Sequence, residues 1–534
     1  MGQVRIHQLS SNPSEKSRFR KYWPLITVLA LIKFILAYIL QDRTYEPHRD
    51  EFLYMIEAHH MAWGYLEVPP MMSGLAWLAE RMGGTFFWIK FWPSIFGSIT
   101  YLLVARLIVM FGGRAFALLL GFFPFIFGYY LHVHFMFQPN FLEVFFWTWM
   151  GYGLISYCHT GRVSGLYIFG IAFGLGMMSK YSVSFFGISL LFGLAVTSAR
   201  IVFTSRHFYF ALAIGLIIFL PNFFWQFEHG FPIVYHMREL RRQQLQNISQ
   251  AGFLKDQLLY NLPCIYTWVA GFYRTLFAPA GRRFRFVGIA VAAALGILLL
   301  AQGKSYYGMG AYPLLFAFGA CQIEAWTQSK YRWVRIPAIA FIALAGCFID
   351  SVALPMLPPG KLANYYATNG LFRKMGFLRW EDQADHPLPQ DYADMLSWRE
   401  MTAKVASVYK SLDSTERKYT ALDTDNYGEA GAVNFYGPEF GLPPANGTAA
   451  NFLLWISPTL YQANRVILVT DYKEIMNSKF VHGFQSAAIR DSISNPLARE
   501  FRTYILLLER PSNSFRLSWQ ADHQSQRKKT SIFE

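Results

Sequence analysis

The residues with the greatest chemical potential follow the first apolar segment of the chain. They are His48, Arg49, Asp50, Glu51, Tyr54 and His60. Two adjacent carboxylates beside an arginine are costly at a membrane surface. If residues 50–61 form a helix whose apolar side chains rest on lipid or on neighbouring helices, Asp50 can be directed into a cavity. The alternative interpretation is an interfacial helix whose charges are simply solvated.

Apolar helices must hold these residues in place. Of the 534 residues, 54% are hydrophobic and only 15% are charged, a balance too apolar for an ordinary soluble enzyme. Apolar windows of the length that crosses a bilayer fill residues 23–356, and we predict about eleven transmembrane helices. They start near residues 23, 86, 115, 138, 163, 182, 207, 262, 285, 306 and 335.

The charge pattern predicts a topology. The net charge of +15 comes from basic residues scattered over short connectors, which argues against nucleic acid as a partner and marks those connectors as cytoplasmic. We therefore expect a multi-pass protein of the plasma membrane, the inner membrane in a bacterium, with its N-terminus inside. Residues 41–70 and 226–257 then face outward. The four cysteines lie in or beside apolar windows, so no disulfide framework is predicted.

The composition changes after residue 356. The run Leu357-Pro358-Pro359-Gly360 ends the apolar pattern. The polar stretch that follows contains short β-rich pieces with helix-like stretches between them. These patterns predict a helix over 395–409 and strands over 465–470 and 503–508. We predict a transmembrane domain over 1–356 and a soluble, extracytoplasmic α/β domain over 357–534. The last dozen residues are polar and are expected to be disordered.

Short motifs along almost the whole chain resemble one known family. They include His48-Arg49-Asp50-Glu51 with Trp63-Gly64-Tyr65 and Pro69-Pro70, Ser179-Lys180-Tyr181, Pro221-Asn222, Lys304-Ser305-Tyr306-Tyr307, and Asn426-Tyr427-Gly428-Glu429. Together these motifs are similar to the GT-C glycosyltransferases, in the branch of the protein O-mannosyltransferases and the aminoarabinose transferase of lipid A. No single motif is diagnostic alone.

This resemblance implies a GT-C fold and a sugar transfer at the outer face of the membrane. The implied donor is a polyprenyl-phosphate-linked sugar, and the acceptor is lipid A, another glycolipid, a glycan or a protein. The resemblance places Asp50 and Glu51 at the active site, with Asp50 as the base that takes a proton from the attacking acceptor group. By analogy with inverting glycosidases, one displacement with one base inverts the anomeric configuration.

One motif departs from the family pattern. Relatives often have an aspartate where this chain has Asn140. Glu143 lies one helical turn further on and supplies the missing charge only if the helix directs it into the cavity. Otherwise Glu143 is an intramembrane acid that needs a partner, either Lys180 or one of the histidines His132 and His134.

A lipid-linked donor leaves as a phosphate anion, so cations and hydrogen-bond donors are expected beside it. The candidates are Lys180, Lys304, Tyr306, Tyr307, His236 and Arg238. We favour Lys180 and Lys304, because an isolated lysine at the outer end of a span runs against the inside bias of basic residues. The alternative is a lysine that reaches to the lipid headgroups.

Two other functions stay open from the sequence alone. A transporter or flippase of lipid-linked sugars would use the same charges along a pathway, although the repeated halves typical of transporters are not seen. An inactive scaffold is the other, because of Asn140. No cofactor is expected to be required. A divalent metal is compatible with the reaction, but no ligand spacing supports one.

Overall fold

The structure is a computed structural model that describes residues 13–533, without the side chains of Pro13, Ser14 and Asn247. The chain divides into two compact units. The helical unit contains the described residues up to Leu40 together with Lys90–Phe224 and Leu240–Leu354. The mixed unit contains Gln41–Ile89, Trp225–Glu239 and the chain from Pro355 onward.

Every apolar window predicted as a span contains a helix. The helices are Pro13–Leu40, Phe86–Met110, Ala115–Phe122, Asn140–Thr160, Ser164–Met177, Val183–Ala195, Arg206–Glu228, Ile265–Leu276, Arg285–Leu300, Tyr312–Trp326 and Arg335–Ala353. Shorter connecting helices are Tyr129–Val133, Pro232–Gln243 and Gln250–Tyr260. The protein is therefore mostly helical where the hydropathy pattern predicted it.

The predicted number of spans is not confirmed. Within the described residues, five helices are long and apolar enough to cross a membrane, or six if Val183–Ala195 and Ser198–Thr204, bent by 107°, form one span. The other windows hold shorter helices, such as the 14-residue helix Ser164–Met177. At a rise of 1.5 Å per residue, such a helix covers only about 21 Å. The number of crossings therefore stays a prediction.

The mixed unit contains a five-stranded sheet of order β2-β1-β3-β5-β4. The strands are β1 (Thr420–Thr424), β2 (Ala445–Gly447), β3 (Arg465–Thr470), β4 (Phe484–Ser492) and β5 (Tyr504–Pro511). β1 pairs in parallel with β2 and β3, whereas β5 is antiparallel to β3 and β4. The strands predicted from the sequence are β3 and β5, so the small C-terminal sheet is confirmed.

Helices cover both faces of this sheet. The helices of the mixed unit are Arg49–Glu57, Met71–Arg81, Pro359–Thr368, Leu371–Met375, Gln390–Ala393, Trp398–Lys410, Ser414–Lys418, Tyr427–Phe440, Phe452–Trp455 and Asn513–Lys529. Alternate residues of β3 point to opposite faces, as strand geometry requires. Ile467 joins the core that contains Trp398, and Leu468 joins the core that contains Trp519.

The C-terminal end is ordered, and the prediction of disorder there was wrong. Residues Asn513–Lys529 form a helix. Its Trp519 is buried in the core, and Arg527 donates hydrogen bonds to the carbonyls of Leu453 (2.7 Å) and Leu454 (3.0 Å). The buried Trp519 side chain and the hydrogen bonds of Arg527 therefore help to fix this mainly polar segment.

The helix with the acidic pair also differs from its prediction. It runs from Arg49 to Glu57, followed by a 3-10 turn over Ala58–His60; we call Arg49–Glu57 the Asp50 helix. Its apolar residues do not face lipid. Phe52 packs against Trp398 inside the mixed unit, and Leu53 packs near Phe452.

The Asp50 helix lies directly against the helix Tyr427–Phe440, which we call the Tyr427 helix. The contact is close because the facing residue is a glycine. A Cβ atom on Gly431 would lie 2.8 Å from the Cβ of Phe52 and 3.2 Å from its carbonyl carbon. Gly431 therefore sets the distance between the two helices.

We expect Gly431→Ala to force these helices apart and to destabilise the mixed unit by about 1–3 kcal/mol. The measurement is the thermal unfolding midpoint of the full chain in detergent. Gly360→Ala is the control, because its added Cβ would meet nothing within 4 Å. An unchanged midpoint for Gly431→Ala would contradict the proposed contact.

Candidate functional site

The two adjacent acids at the start of the Asp50 helix have different environments. The carboxylate of Glu51 accepts the backbone N–H of His48 at 2.8 Å and completes a capping box. Its side chain is fully buried. This bond satisfies the backbone N–H of His48 at the helix N-terminus, so Glu51 has a structural task. The catalytic roles of Asp50 and Glu51 stay predictions.

Asp50 presents a partly exposed carboxylate. Its side chain is 29% exposed, and it accepts a hydrogen bond from the Tyr427 hydroxyl at 2.7 Å. Burial raises the pKa of the Tyr427 phenol well above its ordinary value, so this hydroxyl stays a donor. The guanidinium of Arg49 lies 4.4 Å from the centre of the Tyr427 ring. Arg49 and Tyr427 therefore fix one side of Asp50.

His48 connects Asp50 to a second acidic group. Its Nε2 lies 3.5 Å from Asp394 and 3.8 Å from Asp391, and its Nδ1 lies 3.9 Å from Asp50. Burial alone would lower the pKa of His48, but the surrounding carboxylates outweigh burial and raise it to about 9.

The same Nδ1 is 3.2 Å from the backbone nitrogen of Asp50, a distance that suits an unprotonated nitrogen. The hydrogen bond from the Asp50 N–H requires an unprotonated Nδ1, whereas the raised pKa favours a protonated ring. We assign an imidazolium, because three carboxylates surround a buried ring. His48 then places a positive charge beside Asp50.

His48, Asp391 and Asp394 are also residue types that hold metal ions, and their ligand atoms lie within 4.8 Å of one another. Arg499 is 3.4 Å from Asp394. Burial alone would raise the pKa of Asp394, but the His48 hydrogen bond and the nearby guanidiniums outweigh it and hold that pKa below its ordinary value. The charges of His48, Arg499 and the two aspartates compensate one another, as in an ion-pair cluster.

A second pair of acids lies at the far end of the Asp50 helix. The side-chain amide of Asn451 donates to Glu57 at 2.8 Å and to Glu67 at 2.6 Å. Burial is the main cause that raises the pKa of both carboxyls, for Glu67 to about 8, and the charge of Glu67 raises that of Glu57 further. The pair therefore retains at least one proton at neutral pH. Nothing in the local sequence indicated this group, because Asn451 lies far along the chain.

In the helical unit, Lys180 is the centre of a separate cluster. Its ammonium donates to Glu143 and to Asn140, each at 2.7 Å, and Ser182 donates to the other oxygen of Glu143. Of the partners predicted for Glu143, Lys180 is the one that pairs with it. His132 instead lies 3.0 Å from the Ala353 carbonyl. The Glu143 side chain is almost fully buried, and the Lys180 ammonium compensates its charge.

Aromatic rings complete the Lys180 surroundings. Its ammonium lies 3.9 Å from the ring centre of Tyr307 and 5.8 Å from that of Tyr306. The positive charges of Lys304 and Lys180 are close enough to interact electrostatically. We call Asn140, Glu143, Lys180, Lys304, Tyr306 and Tyr307 the lysine cluster. Six predicted site residues thus come together in one unit.

The remaining candidates lie in the mixed unit. His236 and Arg238 are on the helix Pro232–Gln243, where Arg238 is exposed. Tyr54 is buried within the Asp50 helix. His60 stacks on Trp455, with ring centres 4.1 Å apart. Since His60 follows Asp50 by ten residues of helical chain, it lies about 15 Å further along and not beside Asp50.

Comparison with known proteins places these sites in a family context. Residues 67–225 match the family model described as dolichyl-phosphate-mannose-protein mannosyltransferase. No curated protein matches the chain. Two solved structures of ArnT from Cupriavidus metallidurans, one bound to undecaprenyl phosphate and one in the apo state, match with a TM-score of 0.61 and 12% identity. These matches cover 91% of this chain and 98% of the ArnT chain.

An archaeal oligosaccharyltransferase, AglB from Archaeoglobus fulgidus, matches at a TM-score of 0.46 and 13% identity over 84% of this chain and 70% of its own. This chain and ArnT share their fold. The resemblance to glycosyltransferases of the mannosyltransferase and ArnT type, predicted from the motifs, is confirmed as a similarity by the family model and by this shared fold.

The acid pair at Asn451 generates a pH prediction. A carboxyl with a raised folded-state pKa stabilises the fold fully below its unfolded pKa, and this contribution is lost as the pH rises through the folded value. We expect the thermal unfolding midpoint of the mixed unit to decrease as the pH is raised from 5 to 8. Glu67→Gln should flatten this dependence, because glutamine keeps the acceptor for Asn451 without the titration.

Glu474→Gln, at an exposed position, is the control and should leave the pH dependence as it is in the unmodified protein. The readout is differential scanning calorimetry across that pH range. An equally steep dependence in Glu67→Gln would refute the assignment.

Proposed function

We propose that this protein is an integral-membrane glycosyltransferase. It takes a sugar from a polyprenyl-phosphate-linked donor and attaches it to an acceptor at the outer face of the membrane. The observation that carries the proposal is Asp50, a partly exposed carboxylate held by Tyr427 while its neighbour Glu51 is used as a helix cap. The undecaprenyl phosphate named for the ArnT structure supports a lipid-linked donor.

Asp50 acts as the general base. The attacking hydroxyl or amine of the acceptor donates a hydrogen bond to Asp50, forms a new bond to the anomeric carbon and loses its proton to the carboxylate. The bond from the anomeric carbon to the phosphate oxygen breaks, and its electron pair leaves with the phosphate. Tyr427 and the His48 cation orient the carboxylate. A single displacement of this kind inverts the anomeric configuration.

The lysine cluster binds the phosphate of the carrier. Phosphate recognition needs cations and donors held in a fixed geometry. Lys180 is positioned by Asn140 and Glu143, and Lys304 adds a second cation to the cluster. The phenols of Tyr306 and Tyr307 add hydrogen-bond donors. In this arrangement Glu143 positions Lys180 and does not replace the missing aspartate as a base.

The proposed setting is a plasma membrane, the inner membrane in a bacterium, with the N-terminus in the cytoplasm and the mixed unit outside. The scatter of basic connectors in the sequence supports this orientation. The acceptor is lipid A, another glycolipid, a glycan or a protein. None of these steps requires a cofactor.

We expect Asp50→Asn to reduce transfer by about 10²–10⁴-fold, the usual contribution of a general base. The assay supplies purified protein with a radiolabelled polyprenyl-phosphate sugar and lipids from the host membrane, and it measures the release of carrier phosphate. Glu51→Gln is the matched control, because glutamine also completes a capping box. Transfer that survives in Asp50→Asn would eliminate Asp50 as the base, and sugar movement without carrier release would indicate transport.

Lys304→Met should weaken the binding of undecaprenyl phosphate by about tenfold, because a charge-assisted hydrogen bond contributes roughly 1.5–3 kcal/mol. Lys304 is preferred over Lys180 for this test, since removing Lys180 leaves Glu143 without its ion-pair partner. Binding is measured by native mass spectrometry of the detergent-solubilised chain. Lys330→Met, at an exposed position, should bind as the unmodified protein does. Equal affinity in Lys304→Met would place the phosphate elsewhere.

A further inference from the structure

The mixed unit contains a cavity that the proposed reaction does not use. Its volume is about 590 Å³. The end of the Asp50 helix contributes Ile56, and the turn that follows it contributes His60. The Tyr427 helix contributes Asn434, and Trp455 forms part of the wall. A cavity between 300 and 1,000 Å³ is the size that holds a small organic ligand.

Flat aromatic surface is the first property of this cavity. His60 and Trp455 stack with their ring centres 4.1 Å apart and their planes within 8°. Phe452 and Tyr65 contact Trp455 edge-on, at 5.4 Å and 6.4 Å between ring centres. Trp455 is therefore held in one orientation before any ligand arrives. Tyr419, which is 55% exposed, adds a further ring to the lining.

Uncharged polar groups are the second property. Ser457, Thr459 and Gln462 line the cavity, and the hydroxyls of Ser457 and Thr459 lie 2.7 Å apart. No carboxylate is among the lining residues that the structure describes. Of the basic groups, His59 is paired with Glu80 at 2.8 Å. Burial and the charge of His59 lower the pKa of His60. Lys418 is then the one cation of the described lining without such compensation.

The walls are fixed by side-chain amides, which decides against an extended peptide as the occupant. The strand β2 is at the edge of the sheet. The side chain of Asn434 already bonds both the N–H and the C=O of Ala445, each at 3.0 Å. The amide of Asn446 accepts from Ser457 and donates to Leu422. A peptide strand that paired with this edge would need the Ala445 groups that Asn434 occupies.

We propose that this cavity binds a neutral saccharide. A sugar ring has an apolar face of C–H groups and a rim of hydroxyls, so it matches a flat aromatic surface bordered by uncharged donors and acceptors. A preformed wall adds affinity because little side-chain freedom is lost on binding.

The position of the cavity gives the saccharide a role that rests on the proposed function. Asp50 and Ile56 are six residues apart on one helix, which corresponds to about 9 Å. The acceptor is then a glycan of several units, with one sugar unit in the cavity and another, further along the same glycan, at Asp50. The saccharide binding itself is independent of the transfer reaction.

The experiment measures binding of three neutral trisaccharides, mannotriose, maltotriose and triacetylchitotriose, to the full chain in nanodiscs by saturation-transfer NMR. We expect at least one to bind, and Trp455→Ala to weaken that binding by about tenfold. Gln462→Ala tests the polar rim with an exposed side chain that carries no core packing, and it should weaken binding severalfold. Tyr472→Ala removes an exposed aromatic residue outside the cavity and should leave binding unchanged.

Asp50→Asn separates this inference from the proposed function. It should reduce transfer by about 10²–10⁴-fold and leave the trisaccharide bound as in the unmodified protein. If all three sugars fail to bind, or if binding is the same in Trp455→Ala and Gln462→Ala, the cavity is not a saccharide site. Displacement of the sugar by a proline-rich peptide that binds more tightly would also overturn it, in favour of a peptide groove.

Discussion

The contact between the Asp50 helix and the Tyr427 helix is the constraint on which the mixed unit depends. It joins segments 377 residues apart in sequence through the hydrogen bond from Tyr427 to Asp50. Gly431 allows the close approach, and Phe52 enters the core of the sheet. The same two helices also wall the cavity beside Trp455. The position of the proposed base and the shape of the proposed saccharide pocket therefore follow from one packing interaction.

Compensated charge is the second common principle of the two units. His48 is surrounded by three carboxylates in the mixed unit, and Lys180 is paired with Glu143 in the helical unit. A buried charge that loses its partner costs several kcal/mol, whereas a complete pair is close to neutral in stability. Such pairs orient functional groups rigidly, because each partner restricts the geometry of the other.

Local patterns predicted much of the fold, and the limits are physical. The β-rich composition of a short segment located β3, and hydropathy located every helix window, because both are properties of neighbouring residues. The pairing of Glu143 with Lys180 was one of two expected outcomes, since an intramembrane acid needs a partner. The contact of Asp50 with Tyr427 could not be predicted, since no rule of spacing connects residues so far apart. The order of the C-terminal helix was missed because its anchors, Trp519 in the core and Arg527 on the Leu453 carbonyl, contact residues that are distant in the sequence.

The origin of the Asp50 helix has a consequence for biogenesis. Phe52 completes a core whose other members, from Trp398 to Leu507, come from the last part of the chain. During synthesis this early segment must wait, unpacked, until the ribosome has released the C-terminal region and the sheet has formed. A nascent or prematurely terminated chain therefore carries Asp50 without the surroundings that the finished polypeptide gives it.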